Sequence, residues 1–113
     1  MKLCEIRDIL QADVLCGEEL LDAEVCGAFA GDYMSDVLAT ARDQMVLLTG
    51  LVNPQVVRTA EMLDMKCVVF VRGKLPEEPT VALARERGIV LLSTAMRMYP
   101  ACGELYSRGL MGE

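Results

Sequence analysis

Three strand-like segments recur along this chain, at residues 45–49, 67–71 and 89–93, each an unbroken apolar run that in the first and last cases ends on Thr49 and Ser93. Each is closed by a polar turn and followed by a stretch of helical periodicity. Aliphatic and β-branched runs of this length predict strands buried on both faces. Strands that alternate with helices predict right-handed β-α-β crossovers and a parallel sheet. All three turns then open at one end of that sheet, where ligands of open α/β sheets usually sit.

The rest of the chain fills in around this core. Leu3, Ile6, Ile9 and Leu10 fall at helical spacing and predict a short amphipathic helix over 3–10. Residues 13–17 read as a short strand ended by Gly17, residues 18–21 as a turn or a single helical turn, and residues 23–30 as a second strand. These two strands are expected to pair with each other as an antiparallel or edge feature. A helix starts within 32–38, with Asp32 or Ser35 as its N-cap and Val37, Leu38 and Ala41 facing inward.

Asn53-Pro54 opens a helix running to about Asp64, since Asn caps well and Pro is tolerated in the first turn. Val56, Val57, Ala60 and Leu63 are its candidate core residues. Pro76-Glu77-Glu78-Pro79 opens the next helix with an acidic first turn, and Gly88 ends it after Arg85, Glu86 and Arg87. The last helix covers 98–107, with Pro100 near its start and Gly109 beyond its end. The grammar is that of an α/β fold with a mainly parallel sheet, in a single domain spanning 1–113.

Composition changes this picture in a few places. The net charge is −6, from 11 basic and 17 acidic residues, and no basic cluster is visible. Phosphate-backbone contacts need a basic face, which argues against a nucleic-acid partner. No apolar run approaches the ~18 residues that span a bilayer. Glu5, Arg7 and Asp8 interrupt any signal-peptide core, so a soluble cytoplasmic protein without a membrane partner is the expectation. Five cysteines, at 4, 16, 26, 67 and 102, include no C-x-x-C spacing and support neither a disulfide framework nor a compact metal site. Cys67 reads as a small core residue. Cys16 and Cys26 could face each other across the paired strands. Cys102, near a helix start, has two readings: a buried residue, or a thiol of lowered pKa. The chain contains no histidine, which removes the usual general base and the usual imidazole ligand. No cofactor is expected.

The turns at the strand ends carry the candidate chemistry. Thr49-Gly50-x-x-Asn53-Pro54 combines a strand end, a glycine and a capped helix, which can offer backbone N–H groups to a phosphate or carboxylate. The same residues also suit any β-α loop that simply has to turn. Arg72-Gly73-Lys74 sets two cations around a glycine; Arg can grip phosphate with two N–H groups and Lys adds a point charge. Ser93 and Thr94 can bond a ligand or cap the final helix, the second being the commoner use. Arg97 lies just beyond and could add to an anionic site. Asp32, Ser35 and Asp36 suggest a metal or hydroxyl site, which helix capping explains more cheaply. Neither G-x-x-x-x-G-K-[ST] nor G-x-G-x-x-G occurs.

With these turns in place, the chain resembles the DRTGG domain family. The resemblance is carried by residues 32–39, 46–62, 69–74 and 88–94, within a match from about residue 3 to residue 110. It looks like the stand-alone members encoded beside iron-only hydrogenase genes. Other members are regulatory segments of phosphate acetyltransferases, or sit between CBS domains in nucleotide-regulated pyrophosphatases. The resemblance implies a three-layer α/β/α fold similar to the HPr kinase N-terminal domain, here preceded by a short N-terminal helix and strand pair. No catalytic residue is carried over.

Taken together, the expectation is a non-enzymatic regulatory domain that acts as a homodimer. It would bind an adenine nucleotide or another phosphorylated metabolite through Thr49, Gly50, Asn53, Arg72, Gly73, Lys74, Ser93 and Thr94. The alternative is an interaction module for hydrogenase or other redox enzymes, with no small ligand. An enzyme is the weakest reading, because a phosphotransferase lacks its P-loop and a redox thiol protein lacks paired cysteines.

Overall fold

A computed structural model describes residues 1–112; Glu113, the last residue of the expected domain, lies outside the described residues. The chain forms helix α1 (Leu3–Leu10), strand β1 (Asp13–Cys16), a 3-10 turn (Glu18–Leu20), β2 (Gly27–Ala30), α2 (Met34–Thr40), β3 (Met45–Thr49), α3 (Pro54–Met62), β4 (Cys67–Phe70), α4 (Glu78–Arg87), β5 (Val90–Ser93) and α5 (Met98–Ser107). The five strands make one sheet in the order β1-β5-β4-β3-β2. Strands β2 to β5 run parallel, and β1 joins β5 antiparallel.

The apolar runs do what their length demands. Every residue of β3, β4 and β5 is buried, because helices cover both faces of these central strands. Leu47, Val68, Phe70 and Leu91 point into one core with Val37 of α2, Val56, Val57 and Ala60 of α3 and Ala84 of α4. The alternate residues Val46, Leu48, Cys67, Val69, Val90 and Leu92 pack on Leu3, Ile6 and Leu10 of α1 and Ala101 and Leu105 of α5. Strand periodicity of two separates these sets onto opposite faces and creates the three layers.

The expected pairing of the two N-terminal strands is corrected. Strands β1 and β2 exist, but they form opposite edges of the sheet. Strand β2 aligns parallel to β3 over Gly27–Met45 to Ala30–Leu48, while β1 reaches across to β5. The intervening segment is tied to the start of α1 instead: Leu3 N–H donates to Ala23 O, Cys4 N–H to Leu21 O and Val25 N–H to Met1 O, which leads the chain from one edge of the sheet to the other. Cys16 and Cys26 therefore do not face each other across a strand pair.

Helix ends follow local chemistry where the sequence is explicit. The Asn53 side chain accepts from the Gln55 N–H and caps α3, with Pro54 in the first turn. Gly88 closes α4 in the left-handed region at φ 70°, which costs glycine little. Helix α4 begins at Glu78, slightly later than Pro76 suggests. Among the described residues, no helix is long and apolar enough to cross a membrane.

Candidate functional site

The parallel strands end together, and backbone hydrogen bonds tie their outgoing loops into one rim. Val71 N–H donates to Thr49 O, Arg72 N–H to Met96 O and Gly73 N–H to Thr94 O, at 2.7–3.0 Å. A fourth loop joins through Gly31 N–H, which donates to Leu48 O. Between these loops lies an open cleft of about 890 Å³ lined by Asp32, Gly50, Arg72, Arg97 and Tyr99, with Val71, Ala95 and Met98 as its apolar part. The volume lies in the range of small-ligand sites, ~300–1,000 Å³.

Arg72 dominates this cleft. It sits in left-handed backbone at φ 60°, followed by Gly73 at φ 68°. Its guanidinium lies over the main chain of Gly50, where any Cβ would come within 2.5 Å of an Arg72 nitrogen. Glycine at position 50 leaves room for the guanidinium to rest there; a side chain would displace the end of Arg72 rather than the loops themselves. Neither Arg72 nor Arg97 has a side-chain hydrogen bond or ion pair among the described residues, whereas Arg7, Arg87 and Arg108 are each paired to a carboxylate.

Asp32 is the residue that sequence reasoning placed elsewhere. Expected as an N-cap of α2, it leaves that position to Tyr33, whose side chain makes no cap bond. Its carboxylate oxygen Oδ1 instead accepts from Thr49 Oγ1 at 3.0 Å and from the Gly50 N–H at 2.8 Å. The protein's own carboxylate thus takes the donors that the Thr49-Gly50 turn would offer an anion. A signal was present: Ala30-Gly31-Asp32 after an apolar Phe29 repeats the strand–glycine pattern of Leu48-Thr49-Gly50. The signal counts only once β2 lies parallel to β3, which places the loop after Ala30 beside the Thr49-Gly50 turn.

The other candidates divide clearly. Thr49, Ser93 and Thr94 are buried. Ser93 Oγ donates to Lys74 O, and Thr94 Oγ1 donates to Leu10 O at 2.7 Å while accepting from Met96 N–H. These hydroxyls lock loops together; Arg97, not either of them, takes the N-cap of α5. Asn53 lines a separate, smaller groove with Glu77 and Thr80. Lys74 is exposed beside the rim and does not line the cleft. So the cleft unites Gly50 and Arg72 of the expected set and adds Asp32, Arg97 and Tyr99. Of the two readings of Cys102, a buried residue or a thiol of lowered pKa, the structure opposes the second: the side chain is half-buried, and burial pushes its pKa up.

Neither a family model nor a curated protein sequence matches this chain. Among solved structures it is similar to the CBS and DRTGG domains of the regulatory region of Clostridium perfringens pyrophosphatase, a crystal structure complexed with the activator diadenosine tetraphosphate. The superposition reaches a TM-score of 0.72 at 14% identity and covers 92% of this chain. The fold is DRTGG-like. At this identity the likeness is one of backbone architecture. It spans 45% of the pyrophosphatase chain, less than half its length, and the nucleotide belongs to that protein.

Proposed function

We propose that this DRTGG-like domain is a non-enzymatic regulatory module that binds a nucleotide, or another phosphorylated small ligand, in the cleft at the strand ends. One observation carries the reading: two arginines without ion-pair partners, Arg72 and Arg97, line a single cleft where the parallel strands end. Planar guanidinium groups match phosphate oxygens two at a time. Tyr99, 89% exposed on the cleft wall, offers a ring on which a base can stack. The similar pyrophosphatase region, crystallised with a nucleotide activator, is consistent with this use of the fold. Binding alters a dimer or partner interface if the ligand prefers one of two states.

A thermal-shift series with AMP, ATP and acetyl phosphate tests the proposal. A ligand present at a hundred times its dissociation constant stabilises the fold by about 2.7 kcal/mol. The response is expected to vanish in an Arg72→Ala, Arg97→Ala double variant that keeps its unliganded melting temperature. Silence from every phosphorylated compound would count decisively against the reading.

A second reading has its own support. Tyr99 and Tyr106 project from α5, and an apolar groove runs between them past Met96, Pro100 and Gly103. This face suits a protein partner, either a second copy of the chain or a redox enzyme. A stoichiometric complex that survives the double arginine variant and is lost in Tyr106→Glu would favour it.

A further inference from the structure

Building on the phosphate reading, we propose that Asp32 restricts the cleft to ribonucleotides, its free carboxylate oxygen accepting from the ribose hydroxyls while Arg72 and Arg97 hold the phosphate. A site for a bare phosphate gathers cations and N–H groups and keeps carboxylates away, because like charges repel. This cleft does the opposite. Asp32 lines it together with both arginines and is fixed there through Oδ1 by Thr49 and Gly50. Its second oxygen, Oδ2, has no hydrogen bond among the described residues.

Asp32 and Arg72 also approach Gly50 from different loops, yet no ion pair joins them. The two charges are held apart by backbone bonds: Gly31 N–H to Leu48 O anchors the loop of Asp32, and Arg72 N–H to Met96 O anchors that of Arg72. A ligand that satisfies both must present hydroxyl donors to the carboxylate and an anion to the guanidinium groups. A ribose phosphate does so, and carboxylates commonly accept from ribose hydroxyls in nucleotide sites. Tyr99 beside Arg97 then serves the base. Asp32 both attracts the sugar and repels a phosphate that arrives without one.

Isothermal titration of the wild-type chain with AMP, 2′,3′-dideoxyadenosine 5′-monophosphate and inorganic pyrophosphate tests this without any mutation. AMP is expected to bind about ten- to a hundred-fold more tightly than the dideoxy compound, the range for losing charge-assisted hydrogen bonds. Asp32→Asn supplies a second, crossed readout. Asn keeps an Oδ1 for Thr49 and Gly50 but removes the charge and the free acceptor, so AMP weakens while pyrophosphate holds or tightens. Loss of both in that variant would mean that Asp32 only supports the loop, and would overturn the assignment. Equal wild-type affinity for AMP and its dideoxy analogue overturns the ribose role and leaves the phosphate reading standing. If none of the three compounds binds, both fall.

Discussion

Arg72 occupies left-handed backbone that a side chain adopts only at a cost of about 1–2 kcal/mol, and its N–H is tied to Met96 O. Glycine would fit that conformation with less strain, so the position places a guanidinium in the cleft at the expense of local stability. Arg72→Gly is therefore expected to leave stability unchanged or raise it by up to about 1 kcal/mol in urea unfolding, while abolishing the response to phosphorylated ligands. A variant that loses stability and ligand response together would show that the arginine is part of the scaffold. A second prediction at this scale concerns Cys67. Fully buried between the sheet and α1 and α5, its thiol is pushed far above the ordinary value of 9 because burial penalises the thiolate. The folded pKa is raised, so the stabilisation from the neutral thiol is complete below pH 9 and is lost as pH rises beyond it. The unfolded chain releases this proton first, and the slope approaches about 1.4 kcal/mol per pH unit. Cys67→Ala is expected to flatten the decline between pH 9 and 11, measured by urea unfolding at each pH.

Elements in this fold are specified by signals of different range. Helix α3 is defined locally, by the Asn53 cap, Pro54 in the first turn and Val56, Val57 and Ala60 on one face. Asn53→Ala is expected to cost about 1 kcal/mol of stability. Because Asn53 lines a groove separate from the arginine cleft, that change should leave ligand affinity intact, which titration of the variant would check. These caps, and the three central strands, were legible in the sequence because the information lies within a few residues. The partners of β1 and β2 were not. Both are short runs of four residues at sheet edges, and their neighbours, β5 and β3, lie far along the chain or in parallel register. The site was legible in the same measure. Gly50 and Arg72 stood out as strand-end residues, whereas Asp32 entered the cleft only because β2 runs parallel beside β3.

At the scale of the molecule, the sheet is graded from a buried centre to exposed edges. Strands β3, β4 and β5 lie under helices on both faces, while Ala30 of β2 is exposed. Native-state hydrogen exchange should find the β4 amides opening only with global unfolding and those of β2 opening locally at lower free energy. Equal protection of the two strands would contradict this gradient. The chain alone determined the layers and the direction of the central strands, because uninterrupted aliphatic runs separated by capped helices have few ways to bury themselves. Only tertiary structure decided which loop carboxylate would share a cleft with the arginines and which hydroxyls would be consumed in holding loops together. Those outcomes depend on edge pairings and on competition for hydrogen bonds between residues up to 84 positions apart, such as Thr94 with Leu10. Spacing along a chain encodes how a segment folds on itself, not which distant donor reaches an acceptor first.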